Sequence, residues 1–113
     1  WSLMVEPGKR TLEELLEDVD EGIYVTNDWY LRYQNYREGD FSTIPRDGMF
    51  LIRRGEISMS IRDLRISDNF PRILKNIIEL SKSRSWIKWC EVGIPTLTPH
   101  AIIENLNFTR STM

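Results

Sequence analysis

Hydrophobic residues recur at Leu12, Leu15, Leu16 and Val19, the spacing of a single helical stripe. Thr11-Leu12-Glu13-Glu14 before it has the form of a capping box, with the Thr11 hydroxyl and the Glu14 carboxylate satisfying each other's backbone N–H. Gly22 is expected to stop this helix as a left-handed cap. A second stripe, Phe70, Ile73, Leu74, Ile77 and Ile78, follows i, i+3, i+4, i+7, i+8 and predicts a helix facing the core. Pro71 suits its first turn, Ser67, Asp68 or Asn69 can cap it, and Ser81 to Ser85 ends it. Leu74 and Ile77, in the middle of the stripe, are expected to be buried against a sheet.

Between and after the helices the pattern is that of strands. Ile23 to Thr26, Trp29 to Tyr36, Met49 to Ile52, Ile57 to Ile61 and Trp86 to Val92 are β-branched, aromatic or alternating. Leu64 to Ile66, Ala101 to Ile103 and Leu106 to Phe108 are shorter extensions of the same kind. Arg53-Arg54-Gly55-Glu56 joins two of the runs as a hairpin turn. Pro95 and Pro99 belong at a sheet edge or in a connection. The expected fold is α+β: mainly antiparallel β-sheet with two amphipathic helices, at about 11–21 and 70–82, in one domain or fragment over residues 1–113.

The 113 residues are 41% hydrophobic and 28% charged, ordinary for a soluble globular protein. No run approaches the roughly 20 apolar residues of a membrane span, so no membrane partner is expected. Net charge is −2, which makes nucleic acid an unlikely partner, because phosphate binding needs basic excess. Six carboxylates between Glu13 and Glu21 read as a solvated helix face. The single Cys90 allows no internal disulfide and fits a cytoplasmic protein. The first residues, Trp1 to Val5, already read as a strand, and no initiator Met precedes them. The chain is therefore expected to be part of something longer.

Candidate chemistry is sparse. Catalytic zinc takes three protein ligands, and the chain offers one Cys and one His, Cys90 and His100. A nucleophile needs a base beside it, and nothing marks a partner for His100. The glycines are spread among strands and form no phosphate loop. Trp29 to Arg37 mixes aromatic and basic residues. Its alternation puts Trp29, Leu31, Tyr33 and Asn35 on one side, expected to be core, and Tyr30, Arg32, Gln34 and Tyr36 on a wet or partner-facing side. Such a strand could engage nucleic acid by base stacking or a protein partner.

Four segments in this order, "VEPGKRTLEELLEDVDEGIYVT", "NYREGDFSTIPRDGMFLIRRGEI", "RISDNFPRILKNIIELS" and "PTLTPHAIIENLNF", resemble the closing part of the TldD/PmbA proteins. This family, also called modulators of DNA gyrase, comprises zinc peptidases and inactive relatives. The resemblance implies a longer intracellular hydrolase, or its inactive partner subunit, that acts on peptide or unfolded-protein substrates as a homo- or heterodimer. Zinc would be the parent's cofactor if active; none is expected for this chain alone. The active type's His-Glu-x-x-x-His helix has no counterpart here. The family's third ligand, a Cys ahead of the Pro-Thr-Leu element, has Cys90 as its only candidate, although "SWIKWCEV" lacks the glycines of that setting. Gly39-Asp40-Phe41-Ser42 matches a recognisable short motif of the family. Here Gly39 is expected to permit a tight bend, Asp40 to bond nearby backbone N–H groups, and Phe41 to anchor in the core. The segment from Asn35 to Ile57, with this motif in it, is expected to form two hairpins that build a sheet wall beside the substrate cleft, mainly structural in role, with peptide contact by strand addition.

Overall fold

The computed structural model describes residues 2–26, 29–45, 48–88 and 93–110. Among them, three sheets and two short helices alternate along the chain. Strand β1 (Leu3–Met4) is followed by helix α1 (Leu12–Glu17). Strands β2 (Glu21–Val25), β3 (Trp29–Asn35), β4 (Asp40–Ile44), β5 (Met49–Arg53), β6 (Glu56–Ser60) and β7 (Leu64–Asn69) follow. Helix α2 (Phe70–Lys75) leads into β8 (Ile77–Ile87), β9 (Thr96–Ile103) and β10 (Phe108–Arg110). The sheets run β1-β9-β8, β10-β7-β4-β3 and β2-β5-β6. All strand pairs are antiparallel except β1 with β9. The architecture is thus mainly antiparallel β with two short helices. No helix among the described residues is long and apolar enough to cross a membrane.

Helix α1 has its capping box. Thr11 Oγ1 accepts from Glu14 N at 3.2 Å, and Glu14 Oε1 accepts from Thr11 N at 3.1 Å. Leu15 is buried, Leu12, Leu16 and Val19 are half-buried, and the acidic face is exposed. The helix is shorter than its stripe suggests, with Asp18 as C-cap. Gly22 does not cap it. Gly22 lies within β2 opposite Ile52, without positive φ, and a Cβ there would meet Val19 Cγ1 at 2.9 Å. The bare position is what lets α1 fold back onto the sheet.

The larger correction concerns residues 70–82. Only Phe70 to Lys75 is helical, and Ile77 to Ile87 forms the longest strand among the described residues. Asn76 leaves the helical conformation at φ −96, ψ 5. The residues beyond it are β-branched (Ile77, Ile78) and then alternate serine with bulky side chains up to Trp86, a period-two pattern. Pairing with β9, from Ile77–Ile103 to Ile87–Thr96, outweighs the helical spacing. Leu74 is therefore 66% exposed, against expectation, and Ile77 is half-buried.

Arg54 and Gly55 both have positive φ, 51° and 79°, the signature of the two-residue turn that matches strand twist. Their N–H groups donate to Asp20 O and Val19 O at 2.6 and 2.8 Å, which seats this turn on the end of α1. Pro99 is buried within β9. The strand is central by order, but β1 covers only Thr96 and Leu97, so Pro99 sits where no ladder bond is needed on that side. The buried apolar set among the described residues is Leu15, Phe41, Met49, Ile52 and Ile66.

Candidate functional site

The motif Gly39-Asp40-Phe41-Ser42 begins at the turn between β3 and β4. Asn35 Oδ1 accepts from the backbone N–H of Arg37 and Glu38 at 3.1 and 3.3 Å, and Gly39 N donates to Asn35 O at 2.9 Å. Gly39 then takes φ +82°, which an L side chain resists. A Cβ there would stand 3.0 Å from Pro71 Cδ, so the bend also makes room for the first turn of α2. Phe70 N donates to Gly39 O at 3.0 Å.

Each motif side chain is engaged internally. Asp40 Oδ1 accepts from Asn69 Nδ2 at 2.9 Å, a side-chain donor rather than the expected backbone N–H. Asn69 also donates to Glu38 O at 2.6 Å and caps α2 by accepting from Arg72 N at 3.0 Å. Phe41 is buried and stacks on Phe70 at 4.4 Å between centroids. The ring series continues to Tyr33 at 5.8 Å and from there to Tyr36 at 4.6 Å. Ser42 is buried, and its Oγ accepts from Arg65 Nη1 at 2.8 Å and lies 3.4 Å from Ser67 Oγ. Neither neighbour is a base, so Ser42 is not an activated nucleophile.

Beside the motif lies an open groove of about 480 Å³ lined by Gln34, Asp40, Ser67, Asp68, Asn69, Arg72 and Asn107. Its fixed charge is Asp68, whose side chain is 2% exposed. This carboxylate accepts from the backbone N–H of Asn69 and Asn107, each at 2.8 Å, and from Arg72 Nη1 at 2.8 and 2.6 Å. Burial pushes the Asp68 carboxyl up. The N–H groups of Asn107 and Asn69 and the Arg72 guanidinium outweigh that and hold it below the usual carboxylate range. Arg72 also bonds Asn105 O, and Asn107 Nδ2 bonds Ser67 O. The knot ties β7, α2 and the approach to β10. Its sequence signal was Ser67-Asp68-Asn69 ahead of Pro71, where Asn69 is the cap and Asp68 the buried charge.

Cys90 and Trp1 lie outside the described residues. His100 is exposed on β9, its Nε2 3.2 Å from Tyr24 Oη and its ring stacked on Tyr24 at 6.0 Å. That pair joins two sheets, and nothing in the spacing of the chain signalled it. Strand β3 departs from the expected alternation. Leu31 to Tyr36 are all exposed on an edge strand with two register shifts against β4, and Tyr36 reaches 83%. Among the described residues no group of three or more His, Cys, Asp and Glu could hold a metal. The donors among the described residues do not fit a catalytic zinc, which takes three protein ligands.

The described residues thus form a three-sheet fold with a polar knot where β7, α2 and the approach to β10 meet. The family model for the PmbA/TldA metallopeptidase C-terminal domain matches residues 1–110, and the chain belongs to that family. Among solved structures, it is similar to TldE from Thermococcus kodakarensis, with 28% identity and a TM-score of 0.81 over 93% of this chain and 23% of that one. A putative modulator of a DNA gyrase from Thermotoga maritima gives 27% identity and a TM-score of 0.79 over 94% and 23%. A putative modulator of DNA gyrase from Bacteroides thetaiotaomicron, at 21% identity, shares the fold, with a TM-score of 0.73 over 93% and 22%. The chain thus spans less than a quarter of the length of these relatives. No curated protein matches it.

Proposed function

We propose that these 113 residues are the C-terminal part of a TldD/PmbA-type zinc peptidase or of its inactive partner subunit. In that setting they wall the substrate cleft and supply dimer surface. The observation that carries the reading is the family match over residues 1–110. With one His and one Cys in the sequence, a His-Glu-x-x-x-His helix has to come from elsewhere in the parent, and the chain by itself is inactive. Peptide contact would fall on the exposed edge β3 and the groove beside Asp40, by strand addition. The parent would be cytoplasmic and would act on peptides or unfolded protein as a homo- or heterodimer. Peptide cleavage assays on the isolated chain with added zinc, followed by metal analysis after dialysis, test this. The expected result is no turnover and no retained zinc. Turnover that survives both chelator and Cys90→Ala would overturn it.

A second reading rests on the exposed Tyr36 at the end of its ring series: a binding module that stacks bases or a protein partner on residues 29–37. Salt-dependent binding of single-stranded DNA, lost on Tyr36→Ala, would favour it over the first.

A further inference from the structure

The β1 end of the β1-β9-β8 sheet carries apolar side chains on both faces. Met4 stands opposite Leu97 and Leu97 opposite Trp86, so these three share a face. Leu3, Thr96 and Ile87 form the adjacent row and share the other face, because successive strand residues alternate. Met4 is 65% and Trp86 48% exposed, and Leu3 and Ile94 are exposed too. Apolar residues on both sides of a strand are the pattern of a sheet covered twice, whereas here Met4 and Trp86 on one face and Leu3 on the other are exposed while Leu97, Thr96 and Ile87 are half-buried.

We propose that this sheet end is the seat of the polypeptide that family-length chains carry outside the matched segment, with one layer against each face. The proposal rests on the C-terminal-domain reading. One observation and one geometric argument select the occupant. The solved relatives hold the same fold within chains of which it is 22–23%. A second copy docking on one face would leave the opposite row open, whereas a longer chain can pass over both.

The test replaces the matched segment of the Thermococcus kodakarensis TldE chain with these 113 residues and compares the chimera with the isolated chain. Both carry Cys90→Ser, with Leu3→Cys or Met4→Cys as the probe of each face. Maleimide labelling is measured at low micromolar protein, and each rate is divided by its rate in denaturant. Both cysteines are expected to label freely in the isolated chain and at least tenfold more slowly in the chimera. A folded chimera that labels at the isolated chain's rate at either position overturns the two-sided seat while leaving the domain reading standing. Protection in the isolated chain that grows with its concentration assigns the face to a second copy and overturns the proposal.

Discussion

Asp68 is a nearly enclosed carboxylate whose oxygens are both occupied. Replacing it with Asn keeps the shape but removes the charge that pairs with Arg72, weakens one backbone N–H bond and sets the amide nitrogen, a donor, against the other N–H. Asp68→Asn should cost about 2–3 kcal/mol, measured by urea denaturation at pH 7. The pH dependence has a definite sign. Because the folded carboxyl sits below the ordinary Asp range, its stabilisation is complete above that range. It is lost as pH falls through the lower folded pKa. The melting temperature should drop on acidification below about pH 4, and Asp68→Asn should flatten that drop. Glu14 and Asp18 are lowered in the same sense by Thr11 and Arg10, but they are open to solvent and screened. Gly8 is the other sensitive residue. A Cβ there would lie 1.8 Å from Leu80 O, so Gly8→Ala should destabilise by about 3 kcal/mol, read from the same denaturation curves. At this scale the sequence was half legible. Gly39 as a bend and Phe41 as an anchor follow from residue type. The Asp40–Asn69 bond and the Asp68 knot depend on residues 29 and 39 positions apart, which no local pattern encodes.

Elements with strong local chemistry were the readable ones. The capping box of α1 and the Arg54-Gly55 hairpin each carry their own specification in a few residues. The α2–β8 region was not readable in the same way, because Phe70 to Ile78 satisfies helical spacing while Ile77 to Trp86 satisfies alternation. The ladder to β9 decides between them, and that partner is distant in sequence. Strand β3 was misread for a related reason: an edge position with register shifts removes the burial that makes alternation informative. The helix boundary makes a sharp prediction. Leu74→Ala, on a side chain left in solvent, should change stability by less than about 0.5 kcal/mol. Ile66→Ala, buried in β7, should cost about 2–5 kcal/mol. Equal effects in thermal melts would return α2 to its longer form.

For the molecule as a whole, few apolar side chains are shielded from water relative to the area left open. A chain this size with such a core should melt low. Calorimetry of the isolated 113 residues is expected to give a midpoint below the roughly 45–65 °C of mesophile domains, and a midpoint well above that range would mean the core is better closed than its exposure indicates. The order of three sheets along the chain was outside what the sequence disclosed, since β1 meets β9 and β10 meets β7 across long intervals.

Those intervals bear on how the chain reaches its native state. Gly8 N bonds Ser81 O, Lys82 N bonds Arg10 O, and the Arg10 guanidinium reaches Asp18, Glu14 O and Glu79, the last 69 positions away. Helix α1, six residues long, is too short to persist alone. Its lasting form therefore waits on the closure of that interval, which is entropically slow. Thr11→Ala, which removes the cap at a cost of about 1 kcal/mol, should consequently leave the refolding rate almost unchanged and speed unfolding about fivefold. Stopped-flow chevrons would show it as a shift of the unfolding limb alone, marking this corner as the last to assemble and the first to open.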